Sequence, residues 1–291
     1  MKTLAIIPSR LQSTRFPRKP LVKICGREMI LRTVDRVKKC NLISNIWVAS
    51  DSEEILYIVN KNYLNNNLVR TVLTDSNCKS GTDRLVNALV NEGYDAYNKE
   101  FPWDGIINVQ GDEPFVSMES VEKCLNYFYS DINADMATIV TPIRECKDND
   151  DEYLKMIRDS NIVKCKYNHD ENNYAINFSR KPFYDIDNDG NNTSMMSQQY
   201  HHIGVYAYRP ERLYEFTNLK SKDNPESMEN LENLEQLRAI EANWKVKVVN
   251  VDGQHIHGID TYEQYKTLQQ MMTNKILMTS NDVLFPSLSI S

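Results

Sequence analysis

The sequence predicts an α/β protein with a mostly parallel central sheet covered by helices on both faces, plus a smaller mixed sheet in its second half. Three observations predict this. Short apolar runs alternate with helical-period segments through the first half, the pattern that parallel sheets require. Polar turns follow those runs at Ser50-Asp51-Ser52, Ser80-Gly81-Thr82-Asp83-Arg84 and Gln110-Gly111-Asp112-Glu113-Pro114. The 291 residues are 41% hydrophobic and 25% charged, ordinary for a globular chain large enough for one big domain or two lobes.

Leu4 to Ile7 is an apolar run that reads as a buried strand and stops at Pro8. The loop after it carries Arg10, Arg15, Arg18 and Lys19 among Ser9, Ser13 and Thr14, stiffened by Pro17 and Pro20. Cations and hydroxyls at a strand end suit a polyphosphate. An arginine-rich loop is also an ordinary solvated surface, and neither G-x-x-x-x-G-K-[ST] nor G-x-G-x-x-G occurs. Side-chain cations would therefore have to hold the phosphates.

Glu28 to Cys40 sets Met29, Ile30, Val34 and Val37 on one side of a helix. Ile46 to Ser50 is the second strand, and the Ser50-Asp51-Ser52 turn caps a helix starting near Glu53. Leu68 to Leu73 is the third strand, the helix from Ser80 runs to about Val90, and Gly105 to Gln110 is the fourth strand. Met136 to Ile143, Ile162 to Tyr167, Ala175 to Ser179 and Ile203 to Tyr208 then follow as strands with few crossover helices between them. Tyr184 to Gln199 is polar and reads as a long loop. Its Asp185, Asp187, Asp189 and Gly190 share part of a calcium-loop pattern, but Met196 stands where the twelfth-position glutamate belongs. Glu226 to Trp244 reads as one helix, with Leu231, Leu234, Leu237 and Ile240 on its apolar side and Glu229, Glu232, Glu235 and Gln236 on its polar side. Lys245 to Val251 is a further strand, and Thr261 to about Met272 the last helix.

A formal charge of −6 argues against a general nucleic-acid binder and leaves a small anion as the partner of the cationic loop. Six cysteines, Cys25, Cys40, Cys78, Cys124, Cys146 and Cys165, form no C-x-x-C pair, which fits free thiols in a reducing cytoplasm. No leader peptide or membrane-length apolar run is visible, so a cytoplasmic protein without a membrane partner is expected.

Two acids stand out by position. Asp112 follows the fourth strand and Asp260 follows a late strand, where it could equally cap a helix. Mg²⁺ takes one or two carboxylates with phosphate oxygens and water, so these two acids could clamp it against a triphosphate held by Arg10, Arg15 and Lys19. His255 and His257 lack a third ligand nearby and read as loop histidines.

The blocks IPSRLQSTRFPRKPL, SGTDR, NVQGDEP, NFSR, HIGVYAYR, ENLENLEQLR and GIDT, in that order, resemble the signature blocks of the 3-deoxy-D-manno-octulosonate (Kdo) cytidylyltransferases, from about Lys2 to Met272. CMP-sialic acid synthetases are the runner-up, but their opening loop typically reads S-K-G where Ser13-Thr14-Arg15 stands. The resemblance implies a Rossmann-like nucleotidyltransferase fold, one domain over 1–272 with a smaller mixed-sheet lobe at about 136–209, and a tail at 273–291. It implies Mg²⁺-dependent transfer of CMP from CTP to Kdo in a homodimer, the smaller sheet being a candidate interface. By the resemblance Arg10, Ser13, Thr14, Arg15 and Lys19 hold the triphosphate, Lys19 offsetting charge on the departing pyrophosphate. Ser80 and Arg84 line the nucleotide pocket, and Asp112 and Asp260 hold the metal. Lys19, Arg15, Asp112 and Asp260 together are the catalytic set. Gln110, Arg180, His202, Tyr206, Glu235 and Gln236 contact the sugar acid. Arg18 stands where the family usually has glycine, Tyr262 where it has proline, and Asp83 where it has glutamate. The 184–199 segment and the tail lack family counterparts, which leaves 8-amino-Kdo as an alternative substrate and a silent nucleotide-binding module as an alternative of another class.

Overall fold

A computed structural model describes residues 1–12, 16–98, 100–143, 150–170, 172–186, 192–195, 198–219, 224–252, 258–259 and 261–273. The chain begins with β1 (Thr3–Ser9), all seven residues of which are buried, as befits a strand covered on both faces. A single 3₁₀ turn at Lys19–Leu21 follows, then the two-residue strands β2 (Lys23–Ile24) and β3 (Arg27–Glu28). Cys25 and Gly26 join these two with φ of 47° and 78°, the positive values that tight hairpins use. The helices and strands of the first half then alternate as α1 (Met29–Val37), β4 (Ile43–Ser50), α2 (Glu53–Tyr63), β5 (Val69–Leu73), α3 (Gly81–Asn91), β6 (Gly105–Val109) and α4 (Met118–Ser130). Ser52, Ser80 and Ser117 cap α2, α3 and α4, each accepting from a backbone N–H three residues on.

The second half adds β7 (Met136–Ile143), α5 (Asp150–Arg158), β8 (Lys164–Tyr167), β9 (Ala175–Ser179), β10 (Tyr184–Ile186), β11 (Asn192–Met195), β12 (Gln199–Tyr208), α6 (Pro210–Thr217), α7 (Met228–Glu232), α8 (Leu237–Glu241), β13 (Val246–Asn250) and α9 (Tyr262–Thr273). The main sheet runs β13-β7-β12-β6-β1-β4-β5, with β8 on β12 and β9 on β8. The α/β class and the mostly parallel sheet are as expected. Leu4, Ile6, Trp47, Leu85, Phe216 and Leu237 pack on one face, while Ala5, Ile7, Val34, Ile55, Val121 and Phe128 pack on the other. The period-2 alternation within one apolar run thus feeds two separate cores.

Strand β12 is antiparallel to both β6 and β7. Its opening residue Gln199 pairs with Ile143, the last residue of β7, so β12 starts at the edge where its neighbours end. A small antiparallel second sheet exists as the pair β10–β11, whereas the strands expected to make the smaller sheet, β7, β8, β9 and β12, hydrogen-bond into the main one. The 184–199 stretch, read as loop, is thus partly a hairpin with Tyr184 opposite Met195 and Ile186 opposite Asn192. Residues 187–191, with Asp187, Asp189 and Gly190, lie outside the described residues.

The single helix expected over Glu226 to Trp244 is two short ones. Asn233 breaks it by adopting φ 53° and ψ 51°, the left-handed region that asparagine tolerates better than most residues. Leu231, expected on the apolar side, is consequently exposed. Glu229, expected to be wet, holds the buried Arg238 guanidinium through both carboxylate oxygens, at 2.5 and 2.8 Å. Among the described residues no helix is long and apolar enough to cross a membrane.

Candidate active site

Two cavities open side by side at the carboxyl edge of the sheet. The first, about 260 Å³, is lined by Pro8, Ser9 and Arg10 from the end of β1, by Lys19 and Pro20, by Cys78 to Gly81 and Arg84 at the start of α3, and by Gln110 to Asp112 after β6. The second, about 230 Å³, shares Gln110 and Asp112 and is otherwise walled by Glu113, Asp159, Asn161 to Val163, His201 to Gly204, Gly258 and Gln264. Gln110 and Asp112 therefore stand on the common wall.

Lys19, at the start of the 3₁₀ turn, ion-pairs with Asp112 across 93 residues of sequence. The turn bearing Asp112 is pinned from two sides. Gly111 N donates to Pro8 O at 3.3 Å, and Thr33 Oγ1 of α1 donates to Gly111 O at 3.1 Å. A Cβ on Gly111 would come within 3.0 Å of Pro8 O, so only glycine lets this turn approach β1 so closely. Gln110 Nε2 donates to Asn108 Oδ1 at 3.1 Å, which orients the amide on the shared wall. Asn108, on the central strand β6, did not stand out in the sequence, where it is one polar residue inside an apolar run.

Ser80 joins the wall of the first cavity to the helical layer behind it. Its Oγ accepts from Asp83 N at 3.1 Å and donates to Glu235 Oε1 at 2.7 Å. Burial raises the Glu235 pKa above the usual carboxylate value, against the lowering effect of Ser80 and Arg238. Arg84 is buried, donating to Thr74 Oγ1 at 2.5 Å and to Asp51 Oδ2 at 3.3 Å. In the second cavity His202 Nε2 lies 2.9 Å from Thr138 Oγ1, and that hydroxyl donates to Val205 O at 2.8 Å. Burial pushes the His202 pKa down to about 3, which keeps the ring neutral.

Of the residues singled out in the sequence, the geometry brings Arg10, Lys19, Ser80, Arg84, Gln110, Asp112 and His202 to the two cavity walls. Tyr206, Glu235, Gln236 and Arg180 form the layer behind them. Tyr206 donates to Gln236 Oε1 at 3.1 Å with both side chains buried, and burial raises the Tyr206 pKa well above the ordinary phenol value. Ser13, Thr14, Arg15 and Asp260 lie outside the described residues, as do His255, His257 and Cys146. The chain meets the Asp112 turn just before position 260, where Ile259 N donates to Asp112 O at 3.3 Å. Asp159, Asn161 and Lys79 are wall residues that carried no sequence signal, because nothing in a polar turn marks which side will face a cavity. Among the described residues no group of three or more His, Cys, Asp and Glu is arranged to hold a metal.

A cationic, glycine-lined cavity at the carboxyl edge of a parallel sheet, sharing one carboxylate with a second polar cavity, fits the nucleotidyltransferase class to which the comparisons with known proteins assign the chain. The family model of the cytidylyltransferases matches residues 4–248. A 3-deoxy-manno-octulosonate cytidylyltransferase of Chloroherpeton thalassium is 33% identical over 279 residues, covering 95% of this chain and 100% of that one. The protein of the same name from Parabacteroides distasonis is 36% identical over 279 residues, covering 94% and 100%. The solved structure of CMP:2-keto-3-deoxy-manno-octonic acid synthetase complexed with CTP superposes with a TM-score of 0.76 at 28% identity, covering 94% of this chain and all of that one. A 4-diphosphocytidyl-2C-methyl-D-erythritol synthase from Anaerococcus prevotii shares the fold alone, at 14% identity and a TM-score of 0.56. The chain belongs to the 3-deoxy-manno-octulosonate cytidylyltransferase family.

Proposed function

We propose that this protein transfers the cytidylyl group of CTP to the anomeric hydroxyl of Kdo, releasing pyrophosphate, and that it requires Mg²⁺. The observation that carries the reading is the shared wall. A nucleotide in the Arg10–Lys19–Ser80 cavity and a sugar acid in the His202 cavity would meet at Gln110 and Asp112. The sugar hydroxyl oxygen attacks the α-phosphorus, the bond from that phosphorus to the pyrophosphate oxygen breaks, and the hydroxyl proton passes to water.

The residues fit a magnesium ion. Asp112 is a part-exposed carboxylate on the wall between the substrates, and a triphosphate would supply most of the remaining oxygen ligands. Asp112 would hold the ion with Asp260. When bound, the ion neutralises phosphate charge and lowers the pKa of the attacking hydroxyl. Lys19 keeps Asp112 oriented in the free protein, and Lys19 and Arg10, with Ser13, Thr14 and Arg15 by the family's pattern, would hold the triphosphate. Ser80 and Arg84 shape the nucleotide side. Gln110, His202 and the layer of Arg180, Tyr206, Glu235 and Gln236 shape the sugar side, His202 as a neutral donor or acceptor. Positioning and charge neutralisation suffice for such transfers without a dedicated base. The protein is proposed to act as a homodimer.

Pyrophosphate release with CTP and Mg²⁺, run in parallel with Kdo, 8-amino-Kdo and sialic acid, tests the reading. Fastest turnover is expected with Kdo and none when the metal is chelated. Asp112→Asn should lower turnover by about 10²–10³-fold with an unchanged circular dichroism spectrum. Near-normal activity of that variant, or CTP binding without turnover on any sugar acid, rejects it.

A further inference from the structure

Lys164 is a lysine with no solvent exposure. On β8, opposite Ser179 and His201, its Nζ donates to Asp159 O at 2.6 Å and to Arg180 O at 3.0 Å. Arg180 extends the same network. It donates from Nη1 to Ser160 O at 2.9 Å, from Nε to Glu232 O at 2.9 Å and from Nη2 to Asn233 O at 3.2 Å. All five acceptors are backbone carbonyls. Asp159 and Ser160 directly follow α5, and Glu232 and Asn233 end α7, so both cations sit at helix C-termini, where positive charge is favoured.

Removing an ammonium from water is expensive, and burial pushes the Lys164 pKa down to about 8. An apolar side chain at this site would avoid that penalty, so the cation serves geometry. The segment it holds, Asp159 to Val163, is one wall of the second cavity. The other end of the network is the α7–α8 corner, whose next residues are Glu235 on Ser80 and Gln236 on Tyr206.

We infer that Lys164 and Arg180 form a cationic clip that positions the 159–163 wall of the sugar-acid cavity against the α7–α8 corner, with Lys164 acting only through the wall it holds. Lys164 is a positioning residue. The inference rests on the reading of this cavity as the sugar-acid site.

The test is steady-state kinetics of full-length Lys164→Met, in which the stem is kept and the donors are lost. The KM for Kdo should rise on the order of tenfold, while kcat and the KM for CTP stay within twofold. Lys164→Gln, which retains a neutral amide donor group, should fall between, and it serves if the methionine variant does not fold. Arg180→Lys combined with Lys164→Met should raise the sugar KM no further than the worse single change, because both act on one turn. An unchanged sugar KM, a parallel rise of both KM values with a lowered melting temperature, or fully multiplicative effects in the double variant would overturn the clip. Wild-type turnover of Kdo tests the substrate reading by itself, so an active variant with normal sugar KM rejects this inference alone.

Discussion

Arg18 has φ 58° and ψ 23°, a left-handed conformation that costs a residue with a Cβ about 1–2 kcal/mol and glycine almost nothing. Its guanidinium pairs with Glu54 of α2 at 2.5 Å, but both side chains are about half exposed, so the pair offsets little of that strain. This links the departure from glycine seen in the sequence to its local consequence. It predicts an inversion of the usual preference. Arg18→Gly should be more stable than Arg18→Ala by about 1 kcal/mol, because both lose the ion pair but only alanine keeps the strain. Urea denaturation of the two variants measures it, and an alanine variant as stable as the glycine one contradicts the strain. The cationic character of this loop was legible in the sequence, since four basic residues lie between Arg10 and Lys19. That Lys19 turns inward onto Asp112 while Arg18 turns outward onto Glu54 was not, because neighbouring residues in a turn can diverge in ways that only the φ of one of them decides.

At the scale of elements, the turns after the strands matter more than the strands themselves. The Gln110–Pro114 turn is held against β1 by the Gly111–Pro8 approach and against α1 by Thr33. A methyl group at position 111 would meet Pro8 O at 3.0 Å and the Ile30 Cδ1 and Ser9 Cβ atoms at 3.3 Å, with no flexible side-chain tip as the nearest neighbour to give way. Gly111→Ala should therefore cost about 1–3 kcal/mol of stability and move Asp112, lowering turnover at least about tenfold. Guanidinium denaturation and initial rates on one preparation check both halves; a stable, fully active variant shows the approach to be slack. Apolar periodicity located β1, β4, β6 and β7 well. It failed at α7–α8 because Asn233 changes the direction of the chain without changing the apolar count, so the periodic pattern continues across a break that it cannot register.

For the whole molecule, buried titratable groups tie stability to pH. The His202 pKa is lowered to about 3 in the folded state, from about 6.5 in an unfolded chain. Above 6.5 the ring is neutral in both states and contributes nothing. Below it the unfolded chain binds a proton that the folded one refuses, so stability falls by about 1.4 kcal/mol per pH unit down to about pH 3. Between pH 6.5 and 5 the wild type should thus lose about 2 kcal/mol more than His202→Gln, measured as the difference in slope of unfolding free energy against pH; equal slopes would mean that the ring charges in place. The α/β class, the strand ends that gather the site and the family blocks were all legible in the sequence. The joining of β7 and β12 to the main sheet was not, because strand-like segments reveal their own period and never their partners. That joining has a consequence for how the family can diversify. Because β12 runs against its neighbours, it offers its beginning at the edge where they offer their ends, and His201 to Gly204 reach the cavity from a strand whose other residues are buried beneath it. Under the proposed division of the two cavities, a new acceptor needs changes at only a few positions of one reversed strand, while the grip on the donor, built on β1, α3 and the turn after β6, is left untouched.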